Sequence, residues 1–136
     1  MVIFDFIVYK VYKLVLSGKQ YKGIEEVITA CILAFPLTIL VSTIINNIGK
    51  IFNLEIVDFV YKLGRIPFYI LFSVPLIIII LFYLNRNLRE LEYRISTNSI
   101  LKKIDKLPNF IIYLFFAIIN LLFSILINEI TNKYLQ

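Results

Sequence analysis

The chain has 136 residues, of which 60% are hydrophobic and 17% are charged, and its formal net charge is +5. A soluble domain is usually about 45–50% apolar, and one core of this size could not bury the surplus, so the composition disfavours a soluble protein. The single cysteine, Cys31, excludes an intrachain disulfide, and the absence of histidine removes the commonest catalytic base and metal ligand.

Residues 1–26 begin with a short amphipathic segment. Its apolar residues recur at helical spacing, and its polar residues gather on the other side: Asp5, Tyr9, Lys10, Tyr12 and Lys13. The apolar body is shorter than the roughly 20 residues that a span needs. We therefore predict an interfacial helix that ends near Ser17 and Gly18, with its Lys and Tyr side chains reaching the headgroups. A fourth span is the alternative.

Residues 27–49 form the first charge-free run, which is 23 residues long. As a helix it can cross a hydrocarbon core of about 30 Å. Residues 50–65 follow as a connector that has acidic residues on one helical face and apolar residues on the other. We predict a short amphipathic helix there, lying on the membrane surface.

Residues 66–85 form the second charge-free run, and Arg86 begins a strongly polar segment. Glu90 lies four residues from both Arg86 and Arg94, so the helix is predicted to continue out of the lipid. Residues 96–99 are expected to break it, and Ser99 to cap a second short helix. Residues 86–106 are thus predicted to form a helical hairpin.

Residues 107–128 form the third charge-free run, followed by a tail, 129–136. The whole chain, 1–136, is therefore predicted to be one polytopic domain: an all-α integral membrane protein with three transmembrane helices. Its Ile-, Lys- and Asn-rich composition resembles that of small bacterial membrane proteins, which implies the cytoplasmic (inner) membrane of a bacterium.

The basic residues predict the orientation. With three spans, residues 1–26 and 86–106 share one side and carry 10 Lys and Arg, whereas 50–65 and the tail carry 4. The positive-inside rule then places the N-terminus and residues 86–106 in the cytoplasm. Because these charges flank apolar runs, we expect contact with membrane lipid and not with nucleic acid.

The spans contain no ionisable Asp, Glu, Lys or Arg, which argues against proton relays and ion-coupled transport. Two prolines, Pro36 and Pro75, each occupy the tenth position of their run and are candidates for helix kinks that open a cavity between two spans. Ordinary membrane-helix prolines, whose freed carbonyls are satisfied by neighbours, are the alternative.

Asn120 lies near the middle of the third run, where an amide seeks a partner. Thr38, Ser42 and Ser73 are candidate partners for an interhelical hydrogen bond, and Asn120 of a second copy is the alternative. A basic set in residues 86–106 offers candidate contacts to a cytoplasmic partner or to anionic lipid: Arg86, Arg89, Arg94, Lys102, Lys103 and Lys106.

The residues predict no catalytic, cofactor or metal site. The function we expect is that of a small, non-enzymatic membrane subunit, anchor or oligomer that acts by helix association and through the basic loop 86–106. The first alternative is a pore-forming or membrane-perturbing effector, such as a holin or an abortive-infection protein, or an immunity protein against a membrane toxin. A small-molecule transporter or channel is a weaker alternative.

Overall fold

The computed structural model describes residues 2–53, Lys62 and residues 64–135, without the side chains of Val2, Lys19 and Arg65. Within these residues the chain forms a 3-10 helix, Lys19–Tyr21, and five α-helices: α1 (Val2–Leu16), α2 (Glu25–Ile51), α3 (Arg65–Thr97), α4 (Ser99–Ile104) and α5 (Asn109–Tyr134). Most of the predicted connector helix over 50–65 lies outside the described residues.

Three of these helices, α2, α3 and α5, are long and apolar enough to cross a membrane. The first two predicted charge-free runs lie entirely within α2 and α3, and the third lies within α5 from Asn109 onward. The prediction of an all-α membrane-type fold is therefore confirmed. Each helix continues past the end of its run, because backbone hydrogen bonds continue into residues that are too polar for lipid. The longest is α3, with 33 residues, which carries the chain from residue 85 to Thr97 past the apolar run as predicted.

Asn98 separates α3 from α4, and its backbone is extended (φ −88°, ψ 116°). Its side-chain Oδ1 accepts hydrogen bonds from the backbone N–H groups of Ile100 and Leu101. We expected Ser99 to cap this helix, and the cap instead lies one residue earlier. An asparagine with an extended backbone is an equally good N-cap, and here Ser99 is already the first helical residue.

The bundle is organised around α2, which packs against α1, α3 and α5. α3 and α5 each make most of their contacts with α2 and α1. The main apolar cluster joins α1, α2 and α3, and its buried members are Val8, Val11, Ala30, Leu33, Ala34, Ile80, Leu84 and Leu91. Ala30 and Ala34 contribute small side chains to this cluster, which allow neighbouring helices to approach α2 closely.

A second apolar cluster lies at the end of the bundle that carries residues 86–106, which we call the polar end. It joins α1, the end of α3, α4 and the start of α5 through Phe6, Tyr9, Ile95, Leu101 and Ile112. Because α1 contacts all three long helices, it fills the space between them at this end.

The polar contacts of α1 are made with residues of the polar end. Asp5 is 3.7 Å from Arg94, and Lys10 is 2.7 Å from Asp105. With 15 residues, α1 is also shorter than the roughly 20 residues that a span needs, so the structure supports three spans over four.

Candidate functional site at the polar end

Lys10 lies inside the protein, with 2% of its surface exposed. Its Nζ is 2.7 Å from Asp105 Oδ1 and donates hydrogen bonds to the backbone carbonyls of Asp105 (2.6 Å) and Leu107 (3.2 Å). These carbonyls follow the last residue of α4, where the helix dipole is negative. A buried ammonium group needs such partners to offset its lost hydration. Lys10 therefore fastens α1 to the turn between α4 and α5.

Asp5 makes a second polar contact of α1, and this one is with α3. It is 6% exposed, and its Oδ1 accepts a short hydrogen bond from the Tyr83 hydroxyl. Its Oδ2 lies 3.7 Å from Arg94, whose guanidinium is mostly exposed and is closer to Glu90, at 2.6 Å. Tyr83 thus provides the stronger of the two contacts, because its hydrogen bond is the more buried one.

These contacts differ from our expectation that the polar face of α1 reaches the headgroups. Asp5, Tyr9 and Lys10 are instead buried against the protein. The physical reason is that α3 supplies a hydroxyl to Asp5, and the turn after α4 supplies a carboxylate and two backbone carbonyls to Lys10. Lys13 remains closer to the surface, with its Nζ 4.7 Å from the centre of the Tyr9 ring.

Two adjoining clefts share Asp5 and Arg94 at the polar end. One has a volume of about 420 Å³ and is lined by Asp5, Tyr83, Arg86, Asn87, Glu90, Leu91 and Arg94. The other has about 410 Å³ and is lined by Asp5, Arg94, Ile95, Thr97, Asn98 and Leu101. Because two carboxylates and two guanidinium groups line the first cleft, its charges are balanced, and it does not favour an ion of either sign.

The structure divides the predicted basic set into two groups. Arg86, Arg89 and Arg94 lie on α3 beside its acidic residues, and Arg94 pairs with Glu90. The lysines lie on α4 and in the following turn, and all three are exposed: Lys102, Lys103 and Lys106. None of these three lysines takes part in an ion pair in the described part of the chain.

The polar residues predicted to bond between spans bond within their own helices. Each donates to a backbone carbonyl three or four residues earlier: Asn120 to Phe116, Thr38 to Ala34, Ser42 to Ile39 and Ser73 to Ile70. Thr38, Ser42 and Asn120 are nevertheless buried between helices. Ser124, also buried, continues the small polar face of α5 one turn beyond Asn120.

The hydrogen bond that does join two spans was not predicted. Asn47 of α2 donates from Nδ2 to Asn128 Oδ1 on α5, over 2.7 Å, and also to the Thr43 carbonyl. Asn47 is 2% exposed. Both residues lie near the ends of their runs, where the sequence pattern suggested only a helix terminus. An asparagine near the C-terminal end of both the first and the third run, which are parallel in a three-span topology, is the signal that would have revealed the pair.

Replacing Asn47 with leucine should lower the free energy of unfolding by about 1 kcal/mol, the typical value for such a bond between membrane helices. Asn128→Leu should have a similar effect, and the double variant should be no worse than either alone, because both remove one bond. Unfolding in mixed detergent micelles measures this. Asn46→Leu is the matched control, since Asn46 makes no side-chain hydrogen bond within the described residues; an equal loss there would contradict the assignment.

Pro36 and Pro75 lie inside continuous helices. An apolar cleft of about 420 Å³ lies between α2 and α3, and its lining includes Thr38, Tyr69 and Ser73 but neither proline. The hydroxyls of Thr38 and Ser73 bond Ala34 and Ile70, not the carbonyls that the prolines leave free. A cleft therefore lies between the two helices, but the Thr38 and Ser73 hydroxyls in it are already bonded to the backbone, and the kink hypothesis stays a prediction.

No family model matches this chain. Searches of curated proteins and of solved structures likewise found no similar protein, so the function rests on the chain's own geometry.

Sequence reasoning singled out the segment 86–106 but missed Asp5, Lys10, Tyr83 and Asp105 as contact residues. A usable signal was present: Asp5 and Lys10 interrupt a stretch that is otherwise rich in apolar residues. Charged residues there need either headgroups or protein partners, and their sequence positions do not decide between the two.

Proposed function

We propose that this multi-pass protein is a non-enzymatic membrane subunit or anchor that acts by associating with other chains, either copies of itself or members of a larger complex. The observation that supports this most is the exposure of α3. Only 11% of the residues in its most apolar 18-residue window are buried. Although α3 packs against α2 along one side, most of its surface is free for lipid or for a partner helix.

The outward face of α3 is apolar throughout its lipid-facing part, with exposed Ile70, Leu71, Val74, Ile78, Ile79 and Phe82. The polar groups inside the bundle are used for helix packing and for holding α1. Association along α3 would therefore depend on shape and on close packing, since lipid is as apolar as these side chains. Beyond the lipid, α3 continues to Thr97, so a partner can contact it both within and outside the membrane.

The orientation belongs to the same proposal. α1 and residues 86–106 contact one another, so they lie on one side, and this side carries the larger number of basic residues. We assign it to the cytoplasm of a bacterial inner membrane. A reporter enzyme that is active only in the cytoplasm should be active when it is fused after residue 95. Activity of a second reporter, one that works only in the periplasm, at the same position would reverse the assignment.

Site-specific photo-cross-linking tests the association. A benzophenone amino acid at Ile78, which is 49% exposed on α3, should give a discrete protein adduct in native membranes. The matched control places it at Phe115, which is 63% exposed on α5, where lipid adducts should dominate. A chain that is monomeric in mild detergent and gives no protein adduct from any outward position of α3 would refute the proposal.

A different phenotype would favour one of the alternatives. Depolarisation and growth arrest on induced expression would indicate a membrane-perturbing effector, and protection against a membrane toxin would indicate an immunity protein. A subunit or anchor predicts neither of these effects, so the two measurements separate the three roles without knowledge of a partner.

A further inference from the structure

The short helix α4 and the turn after it present three different surfaces. Leu101 and Asp105 face the protein, where Leu101 joins the second apolar cluster and Asp105 meets Lys10. Ile100, Ile104 and Leu107 are exposed, by 67%, 38% and 48%. Because Ile100 and Ile104 are one helical turn apart, they form a stripe on the surface, and Leu107 follows a further three residues along.

The same short segment carries three basic residues, two on α4 and one in the turn after it. Lys102, Lys103 and Lys106 are all exposed and take part in no ion pair within the described residues. The acidic residue among them, Asp105, is occupied by the buried Lys10 at 2.7 Å. The surface of α4 therefore carries three positive charges without a local counter-charge.

Exposed apolar side chains and exposed lysines in one short amphipathic segment are the pattern of a helix that lies in the headgroup layer of an anionic membrane. We propose that α4 and its following turn bind anionic lipid headgroups of the adjacent leaflet. Ile100, Ile104 and Leu107 would enter the boundary with the acyl chains, while the lysines contact lipid phosphates. This inference requires no protein partner, so it is independent of the proposed function.

Continuity along the chain favours lipid over an acidic protein as the occupant. After Leu107, Phe110 at the start of α5 is 56% exposed, and the outward face of α5 then continues apolar through Leu114 and Phe115. That face belongs to a helix long and apolar enough to cross the bilayer, so the exposed stripe of α4 leads directly into a lipid-contacting surface.

The contact of Lys10 acquires a second role in this arrangement. It holds α4 against α1, which orients the exposed stripe, and it neutralises the carboxylate that would otherwise repel phosphates. Arg94 on α3 differs in this respect, because it is paired with Glu90 at 2.6 Å. We therefore assign lipid binding to Lys102, Lys103 and Lys106 and not to Arg94.

Tryptophan fluorescence tests the proposal without background, because the chain contains no tryptophan. The full chain carrying Ile104→Trp is reconstituted in vesicles of phosphatidylcholine, with or without phosphatidylglycerol, and quenched by brominated lipids or by aqueous iodide. We expect quenching by brominated lipid to rise, and quenching by iodide to fall, when phosphatidylglycerol is present. Tyr93→Trp on α3, where the native side chain is 71% exposed, is the matched control and should respond mainly to iodide in both vesicles.

The lysines should carry this effect. Replacing Lys102, Lys103 and Lys106 together with glutamine should abolish the difference in quenching between the two vesicle types. Each lysine should change the equilibrium between membrane-bound and unbound α4 by about five-fold. Salt at about 1 M should weaken it in the unsubstituted background, since the Debye length is then about 3 Å. Ile100→Trp gives a second reporter if Ile104→Trp does not fold.

Equal iodide quenching of the Ile104→Trp and Tyr93→Trp variants in anionic vesicles would overturn the proposal. Protection of the Ile104→Trp indole only when another protein is added would also overturn it, because α4 would then be a protein-binding surface.

Discussion

Replacing Lys10 with methionine should lower the free energy of unfolding by about 3 kcal/mol, the lower end of the effect expected when one partner of a buried ion pair is removed. Methionine keeps most of the apolar stem but leaves the carbonyls of Asp105 and Leu107 without their donor. The loss is at the lower end because the Asp105 side chain is 34% exposed, so its carboxylate is partly hydrated although Oδ1 itself is buried. Unfolding in mixed detergent micelles measures the change.

The same variant should release α1 from α4 before the spans separate, because the contact lies at one end of the bundle. Limited proteolysis at residues 96–99 should therefore become faster under conditions in which the long helices remain intact. Lys102→Met is the matched control: this exposed lysine takes part in no ion pair within the described residues, so its replacement should change the stability by less than about 0.5 kcal/mol.

A double variant distinguishes loss of the ion pair from loss of packing. Adding Asp105→Asn to Lys10→Met should recover part of the stability, because it removes the carboxylate left without its partner. Wild-type stability of Lys10→Met would show that Lys10 is not buried in the native protein.

Replacing Asp5 with alanine should lower the free energy of unfolding by about 2 kcal/mol, since the buried carboxylate accepts a hydrogen bond from Tyr83 and hydrogen bonds to charged groups are worth about 1.5–3 kcal/mol. Tyr83→Phe should have a similar effect and should leave the aromatic contact with Phe4 in place. The two effects should not add in the double variant, because they remove the same bond. Thermal unfolding in detergent provides the comparison.

Arg94→Ala provides the control for the Asp5 prediction. Its guanidinium lies 3.7 Å from Asp5, and the side chain is 59% exposed, so the loss should stay below about 1 kcal/mol. A loss from Arg94→Ala as large as that from Asp5→Ala would mean that the ion pair, and not the Tyr83 hydrogen bond, holds the start of α1.

The three long helices could be predicted from the sequence, and their positions agree closely with the charge-free runs. A charge-free run of about 20 residues can satisfy its backbone inside lipid only as a helix, so each run predicts an element and its length. The continuation of α3 beyond residue 85 also followed, because Arg86, Glu90 and Arg94 are spaced for helical pairing. The cap of α4 was predicted at Ser99 and lies one residue earlier, at Asn98, because both residue types are good caps.

The partners of the polar side chains could not be predicted in the same way. Tyr83 is 78 positions from Asp5, and the Asp105 carbonyl is 95 positions from Lys10, so no local pattern links them. The residues predicted to form hydrogen bonds between spans, Asn120 among them, instead donate to carbonyls of their own helices. An amide in a helix always has such a carbonyl nearby, and sequence position does not show whether it will be used.

The sequence by itself determined the number of spans, their positions and the polar segment between the second and third, because hydrocarbon excludes charge and unpaired backbone groups wherever they occur. Only the tertiary structure decided the role of α1. Its charged residues suit a headgroup layer as well as a protein interior, and the choice depended on whether distant helices present a hydroxyl, a carboxylate and free carbonyls at matching positions. They do, so α1 packs against the polar end of the bundle and holds α4 in place.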